Sequence, residues 1–310
     1  MSGPAPFDRS LLRLRRDRAA GRIDAHDFLI REAVKDSLER AAFTTRSFDR
    51  ALAIGGAGLT GEEMAAGPMA DRIGWLAEMD LSPRMAMRTN SPAFAANEES
   101  LPLAEDSLDL VLAPLGLHWI NDLPGALIQI RRALKPDGLF IGSMFAAGTL
   151  AELRECLTEA ELEITGGAAA RIAPFADVRD AGGLLQRAGF AMPVSDLDRR
   201  RVVYRDPARL FHDLRGMGET ASLSDRAPAL KRSVFARALA LYAERYAEED
   251  GRLPATFVIA NISGWAPAPD QPRPKAPGSA TVRLADALGA EEMTVDEKAS
   301  PHTPTKGRKP

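Results

Sequence analysis

Residues 51–58 read Ala51-Leu52-Ala53-Ile54-Gly55-Gly56-Ala57-Gly58, a short apolar run that stops at a cluster of glycines. Such a run reads as a strand buried on both faces. Glycine at its end permits a tight turn and lets another group approach the backbone closely. Working outward, strands are expected at Ala51–Gly55, Gly74–Asp80, Leu108–Leu115 and Gly138–Phe145. Between the last two, Leu123, Ala126, Leu127, Ile130 and Leu134 recur at helical spacing, with Asp122 as N-cap and Pro124 in the first turn. Lys135-Pro136-Asp137-Gly138 is turn chemistry that should end that helix. Strands alternating with helices give an α/β fold with a mostly parallel sheet covered on both faces.

The second half is mixed. Thr149–Leu162, Asp180–Ala188, Pro207–Leu214 and Pro228–Ala247 are expected as helices. Val194–Tyr204 reads as a strand with Arg199, Arg200 and Arg201 at a solvated edge, and Thr256–Ser263 as a late strand joining the sheet antiparallel. After Trp265 the prolines Pro267, Pro269, Pro272, Pro274 and Pro277 mark an extended segment, and Ser300–Pro310 is polar enough to stay disordered. The expected organisation is a helical N-terminal segment (1–46), a core (47–148), a part completing the sheet and a substrate cap (149–267), and a Pro-rich segment with a disordered tail (268–310).

Composition excludes several classes. The chain has 310 residues, 45% hydrophobic and 27% charged, with a net charge of −3, so no global basic field points to nucleic acid. Cys156 is the single cysteine, which suits a reducing compartment and a buried structural thiol. His26, His118, His212 and His302 have no ligand-like spacing, so no metal site is expected. No apolar run reaches the roughly 20 residues of a membrane-spanning helix, and the start lacks the apolar stretch of a signal peptide. Arg9, Arg13, Arg15, Arg16, Arg18 and Arg22 interleave with Phe7, Leu11, Leu12 and Leu14. That pattern reads as a solvated helix docked by its leucines, against a mitochondrial-type leader or a membrane-surface helix.

Four ordered segments carry the chemistry. They are the glycine turn, Glu78-Met79-Asp80-Leu81-Ser82-Pro83-Arg84-Met85, Asn97-Glu98-Glu99-Ser100-Leu101-Pro102, and Leu117-His118-Trp119-Ile120-Asn121-Asp122-Leu123-Pro124. Residues 47–145 resemble the class I, S-adenosylmethionine-dependent methyltransferases, including the biotin-synthesis malonyl-carrier O-methyltransferases. Roughly residues 7–285 resemble the mitochondrial complex I assembly factor 5 family and its bacterial relatives. That wider match rests on Phe7-Asp8-Arg9, Phe175-Ala176-Asp177-Val178-Arg179-Asp180, Leu185-Gln186-Arg187-Ala188-Gly189-Phe190, Asp213-Leu214-Arg215-Gly216-Met217-Gly218, Gly264-Trp265-Ala266-Pro267 and Pro277-Gly278-Ser279-Ala280.

The resemblance implies a Rossmann-like, mostly parallel seven-stranded sheet with helical additions at both ends. It also implies S-adenosylmethionine as cofactor, held by Gly55, Gly56 and Gly58 at its methionine part, Asp80 at the ribose, and Asn97 and Glu98 around the adenine. Leu115, His118 and Trp119 would lie at the mouth near substrate, and the resemblance names no catalytic residue. It implies methyl transfer, with arginine hydroxylation in complex I assembly and a non-catalytic scaffold as alternatives. The partner would be a complex I subunit, and the setting the bacterial cytoplasm, the periphery of the inner membrane, or the mitochondrial matrix. The chain departs from the pattern at Ala53 and Asn97, where acids are usual, and in its glycine spacing, which also permits a dinucleotide-like register from Gly56 to Gly61. Each missing carboxylate costs about 1–3 kcal/mol in a buried site. On the residues alone, His118 and Trp119 serve equally as structural residues. An acid ending a buried strand, as Asp80 does, needs a polar partner; replacing it is expected to cost cofactor binding and leave stability nearly unchanged.

Overall fold

The computed structural model describes residues 5–271, 279, 281–283, 286, 287 and 289, and of residues 178–181 the backbone alone. The expected disorder of Ser300–Pro310 and most of the Pro277–Ala280 motif lie outside the described residues. Met1–Pro269 form one compact unit and Asp270–Pro310 a second. In the second, the Ala287 N–H donates to Arg283 O at 3.0 Å.

The first unit is built on a seven-stranded sheet. Its strands are β1 (Phe48–Ile54), β2 (Ile73–Asp80), β3 (Ala93–Ala95), β4 (Leu108–Ala113), β5 (Leu134–Phe145), β6 (Ala191–Tyr204) and β7 (Leu253–Trp265). They lie in the order β3-β2-β1-β4-β5-β7-β6. Pairs among β1 to β5 are parallel, and β7 runs antiparallel between β5 and β6. This is the class I methyltransferase arrangement that the sequence led us to expect, the late antiparallel strand included.

The two-residue strand period splits the core between the faces of the sheet. Ala51 and Ala53 of β1 pack with Leu29, Val34 and Leu38 of helix α2 (Phe28–Ala42). Leu52 and Ile54 face the other way, with Ala126, Leu127 and Ile130 of helix α5 (Leu123–Ala133). Asp122 caps α5 by accepting from the Gly125 N–H at 2.9 Å. The remaining helices are α1 (Arg9–Ala19), α3 (Thr60–Ala66), α4 (Pro83–Ala86), α6 (Ala151–Thr165), α7 (Val178–Arg187), α8 (Pro207–Met217) and α9 (Arg232–Tyr246).

Three local expectations need correction. The Lys135–Gly138 turn does not interrupt the chain: β5 begins at Leu134, directly after α5, and passes through with Asp137 at φ 62°. The ladder to β4 shifts register there, between Leu108 and Leu110, and takes up the irregularity. Helix α9 starts at Arg232, four residues after the expected Pro228. Strand β3 was not expected, because three residues show no periodicity.

Neighbours are added outward from β1 on one side (β2, β3) and from β4 on the other (β5, β7, β6). The crevice between β1 and β4 at their carboxyl ends is therefore the topological switch point, where open parallel sheets bind ligands. Asp80 ends β2 beside it, and Gly55–Gly58 and Leu115–Trp119 follow β1 and β4.

Candidate active site

The glycine turn folds as the sequence requires. Gly55, Gly56 and Gly58 have φ values of 81°, 69° and 76°, a region that disfavours side chains. Ala57 sits between them in the same region at φ 55°. The glycines also answer to the chain's own packing. A Cβ on Gly55 would lie 3.3 Å from Gly116 Cα, and one on Gly58 would lie 2.9 Å from Arg88 Cβ. Glu78, buried in β2, accepts from the N–H groups of Gly61 (2.9 Å) and Thr60 (3.3 Å) and so fixes the start of α3.

Asp80 is 2% exposed. Its Oδ1 accepts from the Ser82 N–H at 2.8 Å and from Arg16 Nε at 3.0 Å, and its Oδ2 from Arg16 Nη2 at 2.5 Å. Arg16 lies on α1 and is itself buried. Burial works against its charge, but Asp80, Glu219 and Glu98 more than offset that and raise its pKa further. Seven residues earlier, Arg9 donates to the Trp119 carbonyl at 2.9 Å, to Asn97 Oδ1 at 3.1 Å and to the Glu98 carboxylate. Burial pushes the Glu98 carboxyl up, with Arg9 opposing.

On the substrate side, Oε2 of Glu219 lies 2.7 Å from both His118 Nε2 and Trp119 Nε1. Burial alone would raise the Glu219 pKa, yet His118, Arg16 and Trp119 together hold it below the usual value. The pairing needs a proton on His118 Nε2, and His118 Nδ1 is buried without a partner. Leu115 has φ 46°, and its N–H donates to Ser143 Oγ at 2.9 Å. Next to Glu219 is a cavity of about 160 Å³, walled by Trp119, Leu150, Leu157, Phe175 and Phe211. Among the described residues no group of His, Cys, Asp and Glu is arranged to hold a metal ion.

The residues that the resemblance assigns to cofactor and substrate thus lie at the end of β2 and in the loops after β1, β3 and β4, at the carboxyl edge of the sheet. Three that complete the site were not singled out: Arg9, Arg16 and Glu219. Helix α1 is docked, as expected, but of its leucines only Leu12 is buried, and Leu14 is 44% exposed. The docking runs through arginines, because buried carboxylates face them. The signal was available: Arg9 and Arg16 are seven apart and share a helix face, and Glu219 directly follows the Asp213–Gly218 motif.

Residues 54–142 match the family model described as a methyltransferase domain. The arginine-hydroxylase NDUFAF5, mitochondrial, of Danio rerio is 41% identical over 296 residues, covering 94% of this chain and 92% of that protein. Its Homo sapiens counterpart is 39% identical, with 90% and 82% covered. The chain belongs to the NDUFAF5 arginine-hydroxylase family. A malonyl-[acyl-carrier protein] O-methyltransferase of Gallionella capsiferriformans (strain ES-2) is 30% identical to this chain, covering 85% of it and 92% of that protein. Among solved structures, YcgJ of Bacillus subtilis shares the fold, with TM-score 0.51 at 16% identity, covering 75% of this chain and 99% of that one.

S-adenosylmethionine is the cofactor of this domain type. The residues that the resemblance assigns to it lie at the carboxyl edge of the sheet, but as folded they do not fit it. Both Asp80 oxygens are bound to Arg16, and Asn97 and Glu98 are bound to Arg9. A ribose finds no free acceptor at Asp80 while Arg16 stays.

Proposed function

We propose that this protein acts on an arginine side chain of a partner protein, its relatives being named arginine hydroxylases, and that the cavity beside Glu219 receives it. The observation that carries this reading is the cavity itself: apolar walls from Trp119, Leu150, Leu157, Phe175 and Phe211, with two charged residues in its lining, Glu219 and an Arg171 whose charge is met by Glu161. Such a cavity suits a long aliphatic stem ending in a cation. Glu219 Oε2 is committed to His118 and Trp119. Its Oε1 is ion-paired with Arg16 Nη1 at 3.6 Å without a hydrogen bond, so a guanidinium entering the cavity would share this oxygen with Arg16. His118, oriented through Nε2 by Glu219, keeps Nδ1 as a proton acceptor beside the Phe145 and Phe175 rings.

The second reading, methylation of a carboxylate as in the malonyl-carrier relatives, sits poorly with this cavity, since Glu219 would repel the acceptor. The family resemblance supports a respiratory complex I subunit as the proposed partner. Among the described residues no helix is long and apolar enough to cross a membrane.

The test is fluorescence anisotropy with short peptides containing arginine, lysine or glutamate. The arginine peptide should bind best, and Glu219→Gln should weaken it about tenfold or more. Mass spectrometry of the incubated peptide then reads whether arginine gained mass. Equal binding by Glu219→Gln, or preference for the glutamate peptide, would sink the reading.

A further inference from the structure

We propose that α1 is a stopper in the cofactor cleft: Arg16 and Arg9 compete with S-adenosylmethionine for Asp80 and Glu98. The inference concerns the cofactor side of the crevice and does not rest on the arginine reading of the Glu219 cavity.

The stopper is held by a small number of strong polar links. Arg16 grips Asp80 with two donors, Arg9 grips Asn97, Glu98 and the Trp119 carbonyl, and Ser82 Oγ donates to Asp17 at 2.5 Å. Apolar anchoring is slight, because Leu12 and Ala19 are the buried hydrophobic residues of the helix. The helix is also tied to the segment after α8: the Asp8 N–H donates to Ser222 O at 2.8 Å, and Arg15 donates to the carbonyls of Thr220 and Ala221. These two pieces have joints. Gly21, just after α1, has open space around it, and a short 3-10 turn (Ile23–Ala25) leads to α2. Gly218, at φ 81°, begins the second piece. Withdrawal therefore bends the chain at glycines and exposes arginines, which water solvates well.

Withdrawal leaves Asp80 and Glu98 buried without their counter-charges, which is costly unless another cation enters. S-adenosylmethionine carries one net positive charge and a ribose diol able to donate to Asp80, so it would offset only part of what the two guanidinium groups supply, which is why the arginines compete with it.

The experiment is isothermal titration of the full chain with S-adenosylmethionine, using wild type, Arg16→Met, Arg9→Met and the double variant, alongside amide hydrogen exchange of residues 9–19. Circular dichroism checks folding, and Arg16→Lys, a shorter cation without the two-pronged grip, serves if Arg16→Met does not fold. Arg16→Met should bind roughly tenfold tighter than wild type or better, and Arg16→Lys should fall between. Saturating cofactor should speed exchange along α1 in wild type. Equal affinity of wild type and the arginine variants overturns the proposal, as does binding by none of them. Slower exchange of α1 with cofactor overturns it too, since α1 would then be a cover closing over the ligand.

Discussion

Arg16 and Asp80, 64 residues apart, form a buried two-pronged pair at 3.0 and 2.5 Å. The acid that ends β2 therefore has a polar partner from within the chain. This pairing decides how the crevice behaves before any ligand is considered, because it satisfies the one carboxylate a ribose would need and seats α1 across the edge of the sheet.

Replacing Asp80 is for that reason a stability experiment as well as a binding one. The expectation that Asp80→Ala leaves stability unchanged does not survive the structure, since it strands the buried Arg16 guanidinium. Breaking one side of such a pair costs about 3–5 kcal/mol. Urea denaturation should show Asp80→Ala destabilised by that order. The double variant Asp80→Ala with Arg16→Met should recover part of the loss, because no charge is left unpaired. A double variant as unstable as the sum of the singles would mean that the two residues are not coupled.

Glu219 makes a pH-dependent contribution whose sign follows from its environment. Its folded pKa lies below the ordinary 4.5, held there against burial by His118, Arg16 and Trp119. A lowered carboxylate adds stability above the unfolded value and loses it as the pH falls through the folded one. At neutral pH, Glu219→Gln should melt below wild type. The gap should shrink below about pH 4.5 and close once Glu219 is protonated. A gap constant from neutral to strongly acidic pH would show that the Glu219 charge is not what matters.

How much of this was legible in sequence depended on whether the signal was local. The runs at Ala51–Gly55 and Gly74–Asp80 announced β1 and β2, since strands buried on both faces read as apolar stretches. Asp122 announced the start of α5 through its capping chemistry. The three-residue β3 offered no period to read, and Lys135–Gly138 has turn chemistry that the strand absorbs through Asp137 and a register shift. At the site, Asp80, Glu98, His118 and Trp119 stood out by their motifs. Their partners did not, because a basic helix ordinarily points its arginines at water. Only the fold brings Arg16 to Asp80, and Glu219 to residues 100 and 101 positions away.

Cys156 should be chemically silent. It is fully buried on α6, and burial pushes its thiol up to about 11. The thiolate is the reactive form. At mildly alkaline pH iodoacetamide should therefore label the native chain roughly a hundredfold more slowly than the urea-unfolded chain. Comparable rates would place Cys156 in an open environment.

Gly116 should tolerate no side chain. It follows Leu115 in the loop after β4, and a Cβ there would lie 2.8 Å from the Ile54 carbonyl oxygen and 3.9 Å from Gly55 Cα. The obstacle is backbone, which cannot rotate away as a side chain can. Ile54 is the last residue of β1 and is fixed by its pairing with Met79 of β2. Gly116→Ala must therefore push the two switch-point loops apart, at the cost typical of overpacking, about 1–3 kcal/mol. Gly167 is a fair control, with nothing within 4 Å of an added Cβ. Gly167→Ala should stay within about 0.5 kcal/mol of wild type. Thermal unfolding of the two variants measures the difference. If they unfold alike, the close approach of the loops after β1 and β4 is not what requires glycine at position 116.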